Sequence, residues 1–169
     1  YNVEKEGLIL NNSNKNSEKT QLAGFINGNP NLANKKAADT ILAEITGTSR
    51  SKLEGFTEIA GKQANFILAN PNGVYVNGAG FINTPRAILT TGKTILDKFG
   101  ELKGFDVDDG TIVIGSSGID VRNLTKFDII SRTAELNGTI YGGDEVNAVL
   151  GRNKYDLVTE RATAKEEMG

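Results

Sequence analysis

Few residues in this chain have the chemistry of a reaction centre. The 169 residues include no His and no Cys. That removes Ser-His-Asp and Cys-His nucleophile systems, disulfides and Cys-based metal sites. The best remaining candidates are Asp106, Asp108 and Asp109 in the stretch FDVDDG. Clustered carboxylates suit calcium, and a pair of them can act as acid and base on a polysaccharide. Their spacing departs from an EF-hand loop, and a solvated turn is the plain alternative. GAGFIN, 78–83, opens like a dinucleotide fingerprint. Asn83 stands where the third glycine belongs, and no βαβ pattern surrounds it. Ser131-Arg132 sets a cation beside apolar runs, as coil edges often do. The sequons at Asn11, Asn123 and Asn137 are expected by chance in a chain with 18 Asn. No catalytic residue, metal or cofactor is expected, and the chain does not read as an enzyme.

The elements that would position any site must come from a turn-rich composition. Gly occurs 20 times, Pro only 3 times and Trp not at all. Gly takes a positive φ freely, and Asn tolerates left-handed backbone and bonds its own main chain. This is the make-up of many short strands joined by tight corners. Net charge is -2, with charges scattered, so there is no basic face for nucleic acid. No apolar run approaches the ~18 residues of a membrane helix, and no stable membrane insertion is expected. The opening YNVEKEGLILNN reads like the middle of a domain, with any targeting segment removed beforehand.

Candidate strands are short and close: 7–11, 40–46, 56–60, 64–69, 73–77, 80–83, 86–90, 111–115, 118–121, 127–131, 133–136, 138–141 and 145–150. Asn-Gly at 27–28, 72–73, 77–78 and 137–138 and Asp-Gly at 109–110 punctuate them. A sandwich or barrel of hairpins fits such a list, and so does a β-solenoid. Spacing favours the solenoid. Phe25-Ile26 and Phe66-Ile67 are separated by about two coils of roughly 20 residues, and Leu68 and Ile88 by about one. A sandwich would also alternate more cleanly over longer strands.

Two segments read differently. In KKAADTILAEI, Ala37, Ala38, Ile41, Leu42 and Ile45 recur at helical spacing, so 35–45 reads locally as helix or strand. The stretch 159–169, TERATAKEEMG, is polar, helix-favouring and without an apolar stripe. It is expected to be a frayed helix, a linker or disorder, which divides the chain into a β-helical domain, 1–153, and a polar tail, 154–169.

The sequence Asn-Pro-Asn occurs twice. Asn70-Pro71-Asn72-Gly73 has the chemistry of a β-turn: Pro71 presets φ, Asn70 can bond forward, and Gly73 accepts a positive φ. Asn29-Pro30-Asn31-Leu32 is the same turn without the glycine. Both can be corners only, or exposed recognition loops.

Taken with their flanks, the two motifs resemble the amino-terminal secretion domain of two-partner secretion exoproteins. This is the haemagglutination-activity domain of filamentous-haemagglutinin type, shared by haemolysins, adhesins and contact-dependent inhibition proteins. The resembling stretches are GLILNNS (7–13), NPNL (29–32), 37–55, 58–92 and 128–153. The resemblance implies a right-handed parallel β-helix with extra-helical hairpins and an amino-terminal cap. It therefore implies that ILAEI is a strand, since stacking onto neighbouring coils overrides local propensity. It also implies further strands before Tyr1, so the chain reads as incomplete at its amino end. Relatives often carry Cys shortly after NPNG; VYVNG has none.

The implied function is export across the Gram-negative outer membrane. The implied partner is a cognate transporter, an outer-membrane barrel with periplasmic POTRA domains that takes the unfolded or part-folded domain. Folding outside the cell then helps draw the chain through, leaving it secreted or on the cell surface. Asn29, Pro30, Asn31, Leu32, Asn70, Pro71, Asn72 and Gly73 are the motif residues the resemblance carries over. An adhesive surface-binding module is the alternative, and a polysaccharide-active β-helix a more distant one.

Overall fold

The computed structural model describes residues 1–13, 17–20, 24–27 and 39–165. Among them there is no helix; every regular element is a strand. In chain order these are β1 (Asn2–Val3), β2 (Leu8–Asn12), β3 (Ser17–Thr20), β4 (Gly24–Asn27), β5 (Thr40–Glu44), β6 (Ser51–Leu53) and β7 (Phe56–Gly61). Then follow β8 (Asn65–Ala69), β9 (Val74–Val76), β10 (Ala79–Ile82), β11 (Arg86–Thr90), β12 (Lys93–Leu96), β13 (Leu102–Val107) and β14 (Thr111–Ile114). The last are β15 (Ile119–Asp120), β16 (Lys126–Ser131), β17 (Thr133–Leu136), β18 (Ile140–Tyr141), β19 (Glu145–Leu150), β20 (Asn153–Asp156) and β21 (Arg161–Ala164).

Fifteen of these strands wind into three parallel five-stranded sheets: β1-β6-β9-β14-β17, β2-β7-β10-β15-β18 and β5-β8-β11-β16-β19. Each coil gives one strand to each sheet in turn, which makes a right-handed parallel β-helix of three faces and five coils. Thirteen of the fifteen are the strands expected from the sequence. Their shortness follows from the corners, where Gly and Asn turn the chain every few residues.

The register fixes the coil. Ile67 lies beside Ile88, and Leu68 beside Leu89. One coil is thus a residue longer than the Leu68–Ile88 spacing suggests. Ile88 in turn lies beside Asp128, a coil lengthened by the inserted hairpin β12–β13. Phe25 and Ile26 are not coil residues. They sit in β4, which pairs antiparallel with β3. The interval between Phe25-Ile26 and Phe66-Ile67 is therefore not two coils of one stack.

The segment 40–44 is a strand: Thr40–Glu44 pairs in parallel with Asn65–Ala69. The helical spacing of Ile41 and Leu42 is outweighed by a full ladder of bonds to β8, with Ile41 and Ala43 packed on the core. Residues 35–38 of that reading lie outside the described residues. Over its described part, 154–165, the expected frayed helix, linker or disorder is replaced by strands. β20 and β21 close a four-stranded antiparallel sheet, β12-β13-β20-β21, outside the helix. Their polar sequence is that of a sheet with one wet face; Tyr155 carries the dry one and is 3% exposed.

The interior is a column of inward side chains, one set per coil. Val3, Leu53, Val74, Val76, Ile112 and Ile114 come from the first face; Phe66, Leu68, Ala87, Leu89, Phe127 and Ile129 from the third. Tyr1, Phe66, Phe81 and Phe127 stack along the axis with ring centroids 5.5, 6.1 and 6.4 Å apart. The third face buries apolar side chains on both sides. Ile67, Ile88 and Ile130 point outward and are covered by Phe105, Val107 and Tyr155. That double burial is why its strands read as apolar runs without alternation.

Candidate functional site

Asn70–Gly73 forms the corner between β8 and β9. Asn at the first turn position, Pro at the second and Gly at the fourth are the residues of a type I turn. The amide of Gly73 donates to Asn70 O at 3.0 Å, and Asn72 has no positive φ. Gly73 takes φ 111°, and a Cβ there would stand 2.8 Å from Thr111 O in the next coil. No other residue fits that backbone approach.

Asn70 is fully buried. Its Nδ2 donates to Ser49 O at 3.0 Å and to Ser51 Oγ at 2.9 Å, both on the preceding coil. Its Oδ1 accepts the Asn72 backbone amide at 2.9 Å and Asn72 Nδ2 at 3.0 Å. Asn72 is exposed, but its Nδ2 also donates to Gly47 O at 2.8 Å. The two amides rivet one corner to the corner below it. Above Asn70, the equivalent corner positions hold Thr91 and Ser131, whose hydroxyls are 3.2 Å apart. The corner is thus a buried polar column: side chains tie Asn70 to the coil below and Thr91 to Ser131 above, and the Asn70 backbone amide donates to Thr90 O between them.

Beside this corner lies an open cleft of about 420 Å³, lined by Glu44, Gly47, Pro71, Asn72, Lys93 and Thr94 among others. Within it Thr94 donates to the Glu44 carboxylate. Of the sequence candidates among the described residues, only Pro71 and Asn72 line this cleft. Asn29, Pro30, Asn31 and Leu32 lie outside the described residues.

Of the acidic candidates, Asp106 and Asp108 are engaged in ion pairs. Lys165 Nζ stands 2.6 Å from Asp106 Oδ1 and 2.5 Å from Asp108 Oδ1, and Arg152 Nη2 is 3.1 Å from Asp108 Oδ1. Hydrogen bonds from Lys165 and then Arg152 hold the Asp108 carboxyl below its ordinary value. A glycosidase acid needs the opposite shift. Among the described residues, no three acidic groups converge as a metal site would require.

The sequence passed over other asparagines that do the same work as Asn70. Asn83, at φ 62°, donates from Nδ2 to Ile59 O at 2.8 Å and Gly61 O at 2.9 Å. Asn77 Oδ1 accepts the Ser117 amide at 2.8 Å. The signal for both was their place beside glycine or at a strand end. Ser131 belongs to the corner column, and the Arg132 amide donates to Thr91 Oγ1 at 3.4 Å.

A parallel β-helix of short coils, tied at its corners by asparagine, defines the class of β-solenoid proteins. The chain is a member of the TPS secretion domain family, which it matches over residues 1–168. It is 47% identical over 154 residues to the 16S rRNA endonuclease CdiA of Enterobacter cloacae, covering 91% of this chain. It is 39% identical over 163 residues to the tRNA nuclease CdiA-2 of Burkholderia pseudomallei, covering 96% of this chain. In each case the chain spans 5% of the relative's length. The crystal structure of a filamentous hemagglutinin secretion domain superposes with a TM-score of 0.90 at 36% identity, over 100% of this chain and 57% of that one. Membership makes this a secretion domain of a two-partner system, with a transporter as partner, from exoproteins that are secreted or surface-exposed in Gram-negative bacteria.

Proposed function

We propose that this domain is the export signal of a large exoprotein, read in the periplasm by the POTRA domains of an outer-membrane barrel before the β-helix closes. It has no catalytic role. Asn70–Gly73, with Asn29–Leu32, forms the contact in the unfolded or part-folded chain. One observation carries this timing: the Asn70 side chain is fully buried and bonded on all sides once the coil has formed. A partner that reads that amide must do so earlier. Folding outside the cell then hides the motif, which makes release one-way. Because stacked coils gain stability from nearest neighbours, closure of each emerging coil disfavours return.

The experiment measures binding of the chain to the periplasmic part of its cognate transporter, in urea sufficient to keep the chain unfolded. There the substitutions cannot act through stability. Asn70→Ala with Asn31→Ala is expected to weaken binding about tenfold or more, the range set by loss of one or two polar contacts. The refolded domain is expected to bind less tightly than the unfolded one. Unchanged binding and secretion in the double variant would leave both motifs as corners only.

A further inference from the structure

The sheet outside the helix is assembled from two distant pieces of chain. β12 and β13 are an insertion after the third coil, whereas β20 and β21 follow the fifth. They meet where Phe105 pairs with Tyr155 and Asp106 with Lys154. The rings of Phe105 and Tyr155 stack 6.2 Å apart over Ile67, Ile88 and Ile130. Those three isoleucines belong to the second, third and fourth coils. The turn between β20 and β21 adds a polar clamp to the same face. Glu160 accepts from Arg86 Nη1 at 3.1 Å and from Lys126. Arg86 also holds Asp128 at 2.7 Å and donates to the Tyr155 hydroxyl at 3.3 Å. At the far end, Lys165 and Arg152 grip Asp106 and Asp108.

We propose that residues 151–165 are a clasp: a strand pair that closes only over coils already stacked in register, and that opens as a unit while the coils remain folded. Its contacts demand that register. Tyr155 and Phe105 need Ile67 beside Ile88, with Ile130 two residues further along the next coil strand on the same outer face, and Glu160 needs Arg86 and Lys126 side by side on β11 and β16. A slip of one residue in any of the three coils turns an isoleucine inward and brings a core residue out. The clasp is also the thinner part of the molecule. β21 is exposed along its whole length, and β20 is buried on one side only. The coil strands it covers are packed on both sides, so opening the clasp gives up far less burial than opening a coil. The clasp thereby locks a correctly wound domain and leaves an incompletely wound one loose. This inference rests on the sheet geometry and stands whether or not the transporter reads Asn70–Gly73.

The test is hydrogen exchange by mass spectrometry on the whole chain. Peptides covering 153–157 are expected to exchange at least ~10-fold faster than those covering β8, β11 and β16, the signature of a local opening. Gly104→Ala attacks the hinge of contact directly, since a Cβ there would lie 2.0 Å from Tyr155 O. It should speed exchange in 153–157 a further ~10-fold and leave the three coil strands within about twofold. Glu160→Gln, a milder change, should shift the same peptides in the same direction. Because the chain has no Cys, an Asp106→Cys/Lys154→Cys pair can bridge opposed strands cleanly. Oxidation should suppress the opening and a reductant restore it. Equal exchange in clasp and coils overturns the proposal, as does a variant that speeds both alike. A Gly104→Ala chain that fails to fold counts against it too, because a separable clasp leaves the coils standing.

Discussion

At the corner formed by Asn70 and Gly73 an amide is required where a carboxylate of the same shape would fail. The Nδ2 of Asn70 donates to a carbonyl and a hydroxyl on the coil below, while Oδ1 accepts two protons from Asn72. Alanine removes both functions and leaves Ser49 O and the Asn72 amide without those partners. The expected cost is about 2–4 kcal/mol. Asn70→Asp is isosteric yet should cost more, because it points a buried negative charge at Ser49 O and has no proton to donate. Asn72→Ala, at an exposed position, should cost below about 1 kcal/mol. Denaturant midpoints of the three variants check the order Asp, then Ala, then the Asn72 change. The turn itself was legible in the sequence, because Asn-Pro-Asn-Gly is complete within four residues. Its partners were not: Ser49 and Ser51 are fixed by coil length, which no local pattern states. The same limit hid Asn77 and Asn83, whose acceptors and donors lie on neighbouring coils.

Among elements, burial decides which aromatic residues matter. Phe81 lies 1% exposed between Phe66 and Phe127, whereas Phe99 is 78% exposed at the tip of the β12–β13 hairpin. Phe81→Ala opens a void in the axis of the third coil and should cost about 3–5 kcal/mol. Phe99→Ala should stay within about 0.5 kcal/mol. Thermal or chemical unfolding of the two variants gives the comparison, and similar losses would contradict the inward column. The coil strands were legible because apolar triplets between Gly and Asn are a strong local signal. β12, β13, β20 and β21 were not. Gly104 interrupts β13, and Lys154 and Asp156 flank the one buried ring of β20. Their apolar face exists only as a cover for Ile67, Ile88 and Ile130, so it is visible only once the helix is wound. The repeated Phe-Ile pair misled for the converse reason: identical dipeptides serve a coil at 66–67 and a hairpin at 25–26.

For the molecule as a whole, the absence of His and Cys sets the pH response. The carboxyls of Asp97, Asp108, Asp120, Asp156, Glu145 and Glu160 are all held below their ordinary values. Backbone amides do this for Asp97 and Asp156; Lys165, Arg122 and Lys126 do it for the others. As pH falls, the unfolded chain takes up these protons first. Their stabilisation is therefore present above the open-chain carboxyl range of about 4 and is lost as pH drops through the depressed values. At the other end, Lys126 and Lys165 are raised by their carboxylate partners, and burial raises Tyr1 and Tyr155. Here the folded state keeps protons that the open chain sheds. That contribution is complete below about pH 10 and is lost as pH climbs through the raised values. No side chain has an ordinary value between the two limbs, so stability should be level from about pH 5 to about pH 9. The acid limb should also shrink in about 1 M salt, because most of these pairs face water and are screened there. Unfolding midpoints measured at each pH, at low and high salt, test both statements. A slope between about pH 6 and 8 would contradict the plateau, because no side chain in the sequence ordinarily titrates there. Such a plateau would leave the fold equally stable across the neutral range, with burial in the stacked coils, which carries no titrating side chain in that range, as its main support there.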